Sequence, residues 1–98
     1  METRQFTVNQ DAEGTFRFKG KLTIHDLEYL KKFIDTSFDR VKNIFLSMGK
    51  VVYADTASIQ LLIAFKKALG SEVNWKITDM SPELKKILEL SDLKKELI

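Results

Sequence analysis

The chain has no cysteine, one proline, one histidine and four glycines in 98 residues. Without cysteine there is no disulfide framework and no thiolate metal site, a composition that suits a reducing compartment. The single histidine, His25, offers neither a histidine cluster for a metal nor more than one imidazole for acid–base work. The glycines stand at 14, 20, 49 and 70 and form neither GxGxxG nor GxxxxGK. A dinucleotide turn and a phosphate loop therefore have no support. No serine sits in a GxSxG elbow. No apolar run nears the roughly 20 residues of a membrane span. The start, METRQFTVNQ, has no apolar signal-peptide core. A cytoplasmic chain without membrane insertion is expected.

Nor does one sign of charge prevail. There are 16 basic and 14 acidic residues, a net charge of +2, spread along the chain. No segment makes a basic stripe of the kind that follows a phosphate backbone, which argues against a nucleic-acid partner. Asp26 with Glu28, Asp35 with Asp39, and Glu83 with Glu89 lie in mixed-charge stretches and read as solvated faces rather than catalytic pairs. His25, in KLTIHDLEYL, reads as a surface or capping residue. No catalytic residue, metal ligand or cofactor is expected, and the chain is not expected to be an enzyme.

What is present is enough apolar sequence, 44% of residues, for one small domain over residues 1–98. Phe6 and Val8, then Phe16 and Phe18, alternate at strand spacing around the turn-rich NQDAEG and predict a hairpin. Leu27, Leu30, Phe33, Ile34 and Phe38 follow helical spacing, with Thr23 or Asp26 as cap. KNIFLSMG reads as a buried strand broken by Gly49 and Lys50, with VVYA extended beyond it. Asp55 opens a second helix through about Leu69, with inner face Leu61, Leu62, Phe65 and Leu69 and Gly70 as its stop. Val73, Trp75 and Ile77 alternate as a strand. Ser81, Pro82 and Glu83 start a third helix with Leu84, Ile87, Leu88 and Leu90 on its apolar side. Ser91 starts a last turn or two. The order β-β-α-β-α-β-α-α predicts an α/β sheet whose central strands are IFLSM and VNWKI. The phenylalanines, Phe45 among them, and Trp75 read as core.

One cluster stands apart. In VVYADTASIQLLIAFKKALG, Asp55, Thr56, Ala57 and Ser58 occupy the passage from strand to helix. Asp55 caps the helix, accepting N–H bonds from residue 57 or 58. A helix start at a strand end also exposes backbone donors and positive potential, suited to a phosphate or an acidic partner.

Three blocks resemble the STAS domain (sulfate transporter and anti-sigma factor antagonist) over nearly the whole chain. FRFKGKLTIHDLEYLKKFI resembles the family's G-x-L-D segment and its helix. NIFLSMGKVVYADTASIQLLIAFKKAL resembles the apolar strand, D-S-S-G or D-T-A-G, and the leucine-rich helix. NWKITDMSPELKKILELSDLKKEL resembles the last strand and helices. The resemblance implies a mixed sheet of about four or five strands, packed on one face by about four helices, and a role in protein–protein switching.

In the family's anti-sigma factor antagonists, the second serine of D-S-S-G is phosphorylated by the anti-sigma factor kinase. Here that position is Ala57, which has no hydroxyl, and Thr23 replaces the family's G-x-L-D aspartate. Thr56 and Ser58 are displaced candidate phosphoacceptors, each turned about 100° from Ala57 on a helix. The expected binding surface is Asp55, Thr56, Ala57, Ser58 and Gln60 with Thr23 and Ile24, and Ile59 adds apolar area if it faces outward. The implied partner is an anti-sigma factor kinase, a transporter ATPase or a signalling protein. The alternatives are a constitutive subunit of a lipid-transport ABC complex or signalling assembly, and a carrier holding a lipid or nucleotide between sheet and helices. An edge hairpin bearing Phe6, Phe16 and Phe18 leaves a homodimer open.

Overall fold

A computed structural model describes residues 5–37 and 42–98. Strand β1 (Phe6–Gln10) pairs antiparallel with β2 (Phe16–Leu22). Alternation decides their faces: Phe6, Val8, Phe16 and Phe18 are buried, while Thr7, Asn9, Arg17 and Lys19 point to solvent. The turn is built on Asp11. Its carboxylate accepts the N–H groups of Glu13 (2.9 Å) and Thr15 (3.0 Å) and meets Arg17 Nε at 2.9 Å.

A single 3-10 turn (Ile24–Asp26) leads into α1 (Leu27–Ser37). Phe38 and Asp39, read above as part of this helix, lie outside the described residues. Helix α1 lies on the hairpin through edge-on ring pairs. Phe33 sits 5.8 Å from Phe16 and Tyr29 sits 6.3 Å from Phe6, centre to centre. Strand β3 (Asn43–Ala54), α2 (Thr56–Leu69), β4 (Asn74–Met80), α3 (Pro82–Ser91) and the single turn α4 (Lys94–Leu97) follow. Strands β2, β3 and β4 run parallel, and the sheet order is β1-β2-β3-β4.

The helices share one core with one face of the sheet. Leu30 and Ile34 of α1, Ile59, Leu62 and Ile63 of α2, Leu84 and Leu88 of α3 and Leu97 of α4 pack in a single cluster with the inward residues of the strands. Helix α3 starts as its sequence predicts. Ser81 accepts the Leu84 N–H at 3.0 Å, Pro82 stands in the first turn, and the Ser81 hydroxyl also donates to the Val51 carbonyl. The Trp75 indole N–H donates to the Leu97 carbonyl at 2.8 Å and ties α4 to β4.

Several expectations need correction. Gly49 and Lys50 do not break the strand: β3 runs unbroken for 12 residues, and the irregularity appears instead as register shifts against both neighbours. Pairing with β4 ends at Met48, and β2 carries the strand on from Lys50 to Ala54, while the Gly49 N–H bonds the Asp79 carboxylate. VNWKI is an edge strand, not a central one. Its partial burial reflects that position, since Trp75 and Ile77 are half-buried. Phe45 is half-buried on the far face, apart from the core cluster. Ile63 belongs to the core face of α2, while Leu61, Phe65 and Leu69 only flank it. Leu90 is 80% exposed, because helical rotation carries it away from Leu84 and Leu88. Ser91 ends α3 rather than starting a helix, and Asp92 turns left-handed (φ 59°) as its cap.

Candidate functional site

Because β2 and β3 are parallel neighbours, their C-terminal ends lie side by side, with Leu22 opposite Ala54. Each chain then turns at once into a helical segment. At the end of β2, Thr23 forms a reciprocal cap: its hydroxyl accepts the His25 N–H at 3.3 Å, and the Asp26 carboxylate accepts the Thr23 N–H at 3.0 Å. At the end of β3, Asp55 caps α2 from an extended conformation.

Asp55 does more than cap. Oδ1 accepts the Ser58 N–H at 2.9 Å and the Ser58 hydroxyl at 2.6 Å. Oδ2 accepts the Ile24 N–H, from the other loop, at 2.7 Å. One carboxylate thus fastens two helix starts that are 31 residues apart in sequence. Partial burial works to raise the Asp55 pKa, but the hydroxyl and N–H of Ser58, the N–H of Ile24 and the nearby His25 outweigh it. The net shift is downward from 3.8.

The structure gathers the expected site residues and sorts them by exposure. Thr56, Ala57, Gln60 and Ile24 are exposed, and Thr23 and Asp55 are half-exposed. Ser58 is fully buried, with its hydroxyl committed to Asp55. Ile59 is also buried and faces the core, so it adds no outward contact area. Ile24 is the outward apolar residue, 59% exposed. Sequence reading missed Val52 and Tyr53, which are both exposed just before Asp55. Strict alternation would bury one of them, and only the register shifts along β3, where Tyr53 lies opposite Lys21, turn both outward.

Other site types have less to stand on. Between sheet and helices, the space lined by Phe18, Met48, Ile59 and Leu62 amounts to about 10 Å³. That is about one water's worth, which leaves no room there for a lipid or nucleotide. Among the described residues no three histidine, aspartate or glutamate side chains group as metal ligands. No described helix is long and apolar enough to cross a membrane.

Comparison with known proteins supplies the family context. The model of the STAS domain matches residues 4–97. No curated protein sequence matches significantly. Among solved structures, the fold is similar to that of the anti-sigma factor antagonist SpoIIAA in its unphosphorylated form. The TM-score is 0.68 at 19% identity, over 95% of this chain and 85% of that one.

Proposed function

Because the chain belongs to the STAS domain family, we propose that it works as a non-catalytic binding module, an anti-sigma factor antagonist-like regulator in the cytoplasm. It docks on a protein partner, a kinase or other signalling protein, through the start of α2. The observation that carries this reading is the Asp55 carboxylate, which joins Ile24 and Ser58 into one rigid surface. Preorganisation of this kind lowers the ordering cost of association. On that surface Ile24 supplies apolar area, Thr56 and Gln60 supply polar contacts, and the small Ala57 allows close approach.

The same geometry favours docking without the family's serine phosphoswitch. Ala57 is exposed but has no hydroxyl, and the Ser58 hydroxyl is buried on Asp55. Thr56 is left as the accessible hydroxyl of the Asp55–Ser58 turn. Incubation with an anti-sigma-factor-type serine kinase, read by intact mass, separates the two readings. Constitutive docking expects no phosphate on the wild type and one phosphate on Ala57→Ser. Phosphate on the wild type that disappears in Thr56→Val would make the surface phosphoregulated at Thr56. For the docking itself, capture from native extract should recover one dominant partner with the wild type and lose it with Thr56→Glu. Equal recovery by both would move the function to another face.

A further inference from the structure

The face of the sheet turned away from the helices carries a second polar construction, independent of the Asp55 surface. Arg17 and Lys19 project outward from β2, and Lys50 from β3. Lys19 and Lys50 are direct register partners on these adjacent strands. Like charges placed opposite each other on neighbouring strands repel. Among the described residues neither lysine has an ion-pair partner. Arg17 bonds Asp11 through Nε at 2.9 Å, and its amino groups carry further N–H donors.

These three cations line a cleft of about 180 Å³, together with Thr7, Ser47 and Asp79. That volume is about ten times what a single water needs. Asp79 is the one carboxylate in the lining, and among the described residues it forms no ion pair with either lysine. Its oxygens are engaged by the Ser47 and Thr78 hydroxyls and the Gly49 N–H, with Arg17 nearby. Gly49 makes this possible, since a Cβ there would fall 2.2 Å from Asp79 Oδ2. Counting Asp79 in the lining and the Asp11 paired to Arg17, the three cations still leave the cleft net positive.

We propose that this cleft binds a phosphate group, with Lys19 and Lys50 on either side of it, Arg17 at one end and the Thr7 hydroxyl as a further donor. A dianion between the two lysines removes their mutual repulsion and gains charge-assisted hydrogen bonds from three side chains. The ligand class is a phosphate-bearing compound, either free or as a lipid headgroup.

The test is titration of the ¹⁵N-labelled protein with pyrophosphate at fixed ionic strength, so that general screening stays constant. Saturable amide shifts centred on Thr7, Lys19, Ser47 and Lys50 are expected, with affinity at least tenfold weaker in both Lys50→Gln and Lys50→Glu. Lys50→Glu places an opposite charge beside Lys19, so its melting temperature should rise by roughly 2 °C while binding is lost. A merely solvated lysine pair would give the stability change without any saturable binding to lose. Sedimentation with phosphatidic acid–phosphatidylcholine vesicles distinguishes the sources: co-sedimentation assigns a headgroup, and pyrophosphate binding alone assigns a free phosphate compound. Shifts that do not saturate, that spread over the helix lysines, or that persist unchanged in both Lys50 variants would overturn the proposal.

Discussion

At the scale of single residues, Asp55 connects local structure to function. Replacing it with alanine removes a helix cap and releases the Ile24 loop. Asp55→Ala should cost about 1–2 kcal/mol in urea unfolding, with Asp55→Asn between it and the wild type. The pH dependence has a definite sign. The folded pKa of Asp55 lies below its ordinary 3.8, so its contribution is complete above that value and is lost as pH falls through the lower folded one. Asp11 and Asp79 shift in the same direction. Stability should therefore hold through neutral pH and decline below about pH 4. The decline should be shallower in Asp55→Ala, as measured by thermal melts across that range. The cap was legible in the sequence, because an aspartate before a helical period has few other uses. Its bond to Ile24 was not, since it depends on which strands lie side by side. The burial of Ser58 and Ile59 was missed for a related reason: α2 presents a core face shifted from the one its leucines suggest.

At the scale of elements, the sheet depends on two close contacts that pattern alone does not reveal. Gly20 has φ +99°, and a Cβ there would fall 1.8 Å from the Gln5 carbonyl oxygen. Gly20→Ala should destabilise by about 2–4 kcal/mol through left-handed strain and backbone clash, measured by chemical denaturation. Gly70 also has positive φ (+79°) but nothing within 4 Å, so Gly70→Ala should cost clearly less, about 1 kcal/mol. At the other end, Trp75→Phe removes the donor to Leu97. Amides of α4 should then exchange faster while those of β3 keep their protection. Element types and order were readable because apolar period and caps agree at the starts of α2 and α3 and apolar alternation marks the strands, whereas α4 has no side-chain cap and its start was misplaced at Ser91. The continuity of β3 was not, because the partners that hold Gly49 in an extended conformation come from distant segments.

At the scale of the whole molecule, the two faces of the sheet divide the chemistry. One face makes the core with four helices, and the parallel ends of β2 and β3 bring the Asp55 surface together. Among the described residues the other face is open, and it carries the Lys19–Lys50 cleft. Charge counted along the chain hides that cleft, because its cations come from two strands and only pairing makes them neighbours. The fold class was legible because three blocks in order carry the family pattern. The identity of a partner is not written in any of them, since a docking surface states only the chemistry it offers.

The most direct measurement is titration calorimetry of the captured partner against wild type, Thr56→Glu and Lys50→Glu. Docking through the start of α2 requires Thr56→Glu to weaken binding at least tenfold, about 1.4 kcal/mol. Lys50→Glu, on the open face of the sheet and away from the ends of β2 and β3, should bind as the wild type does. Unchanged affinity in Thr56→Glu would contradict the account, and Asp55 would then be a structural clamp with the working surface elsewhere.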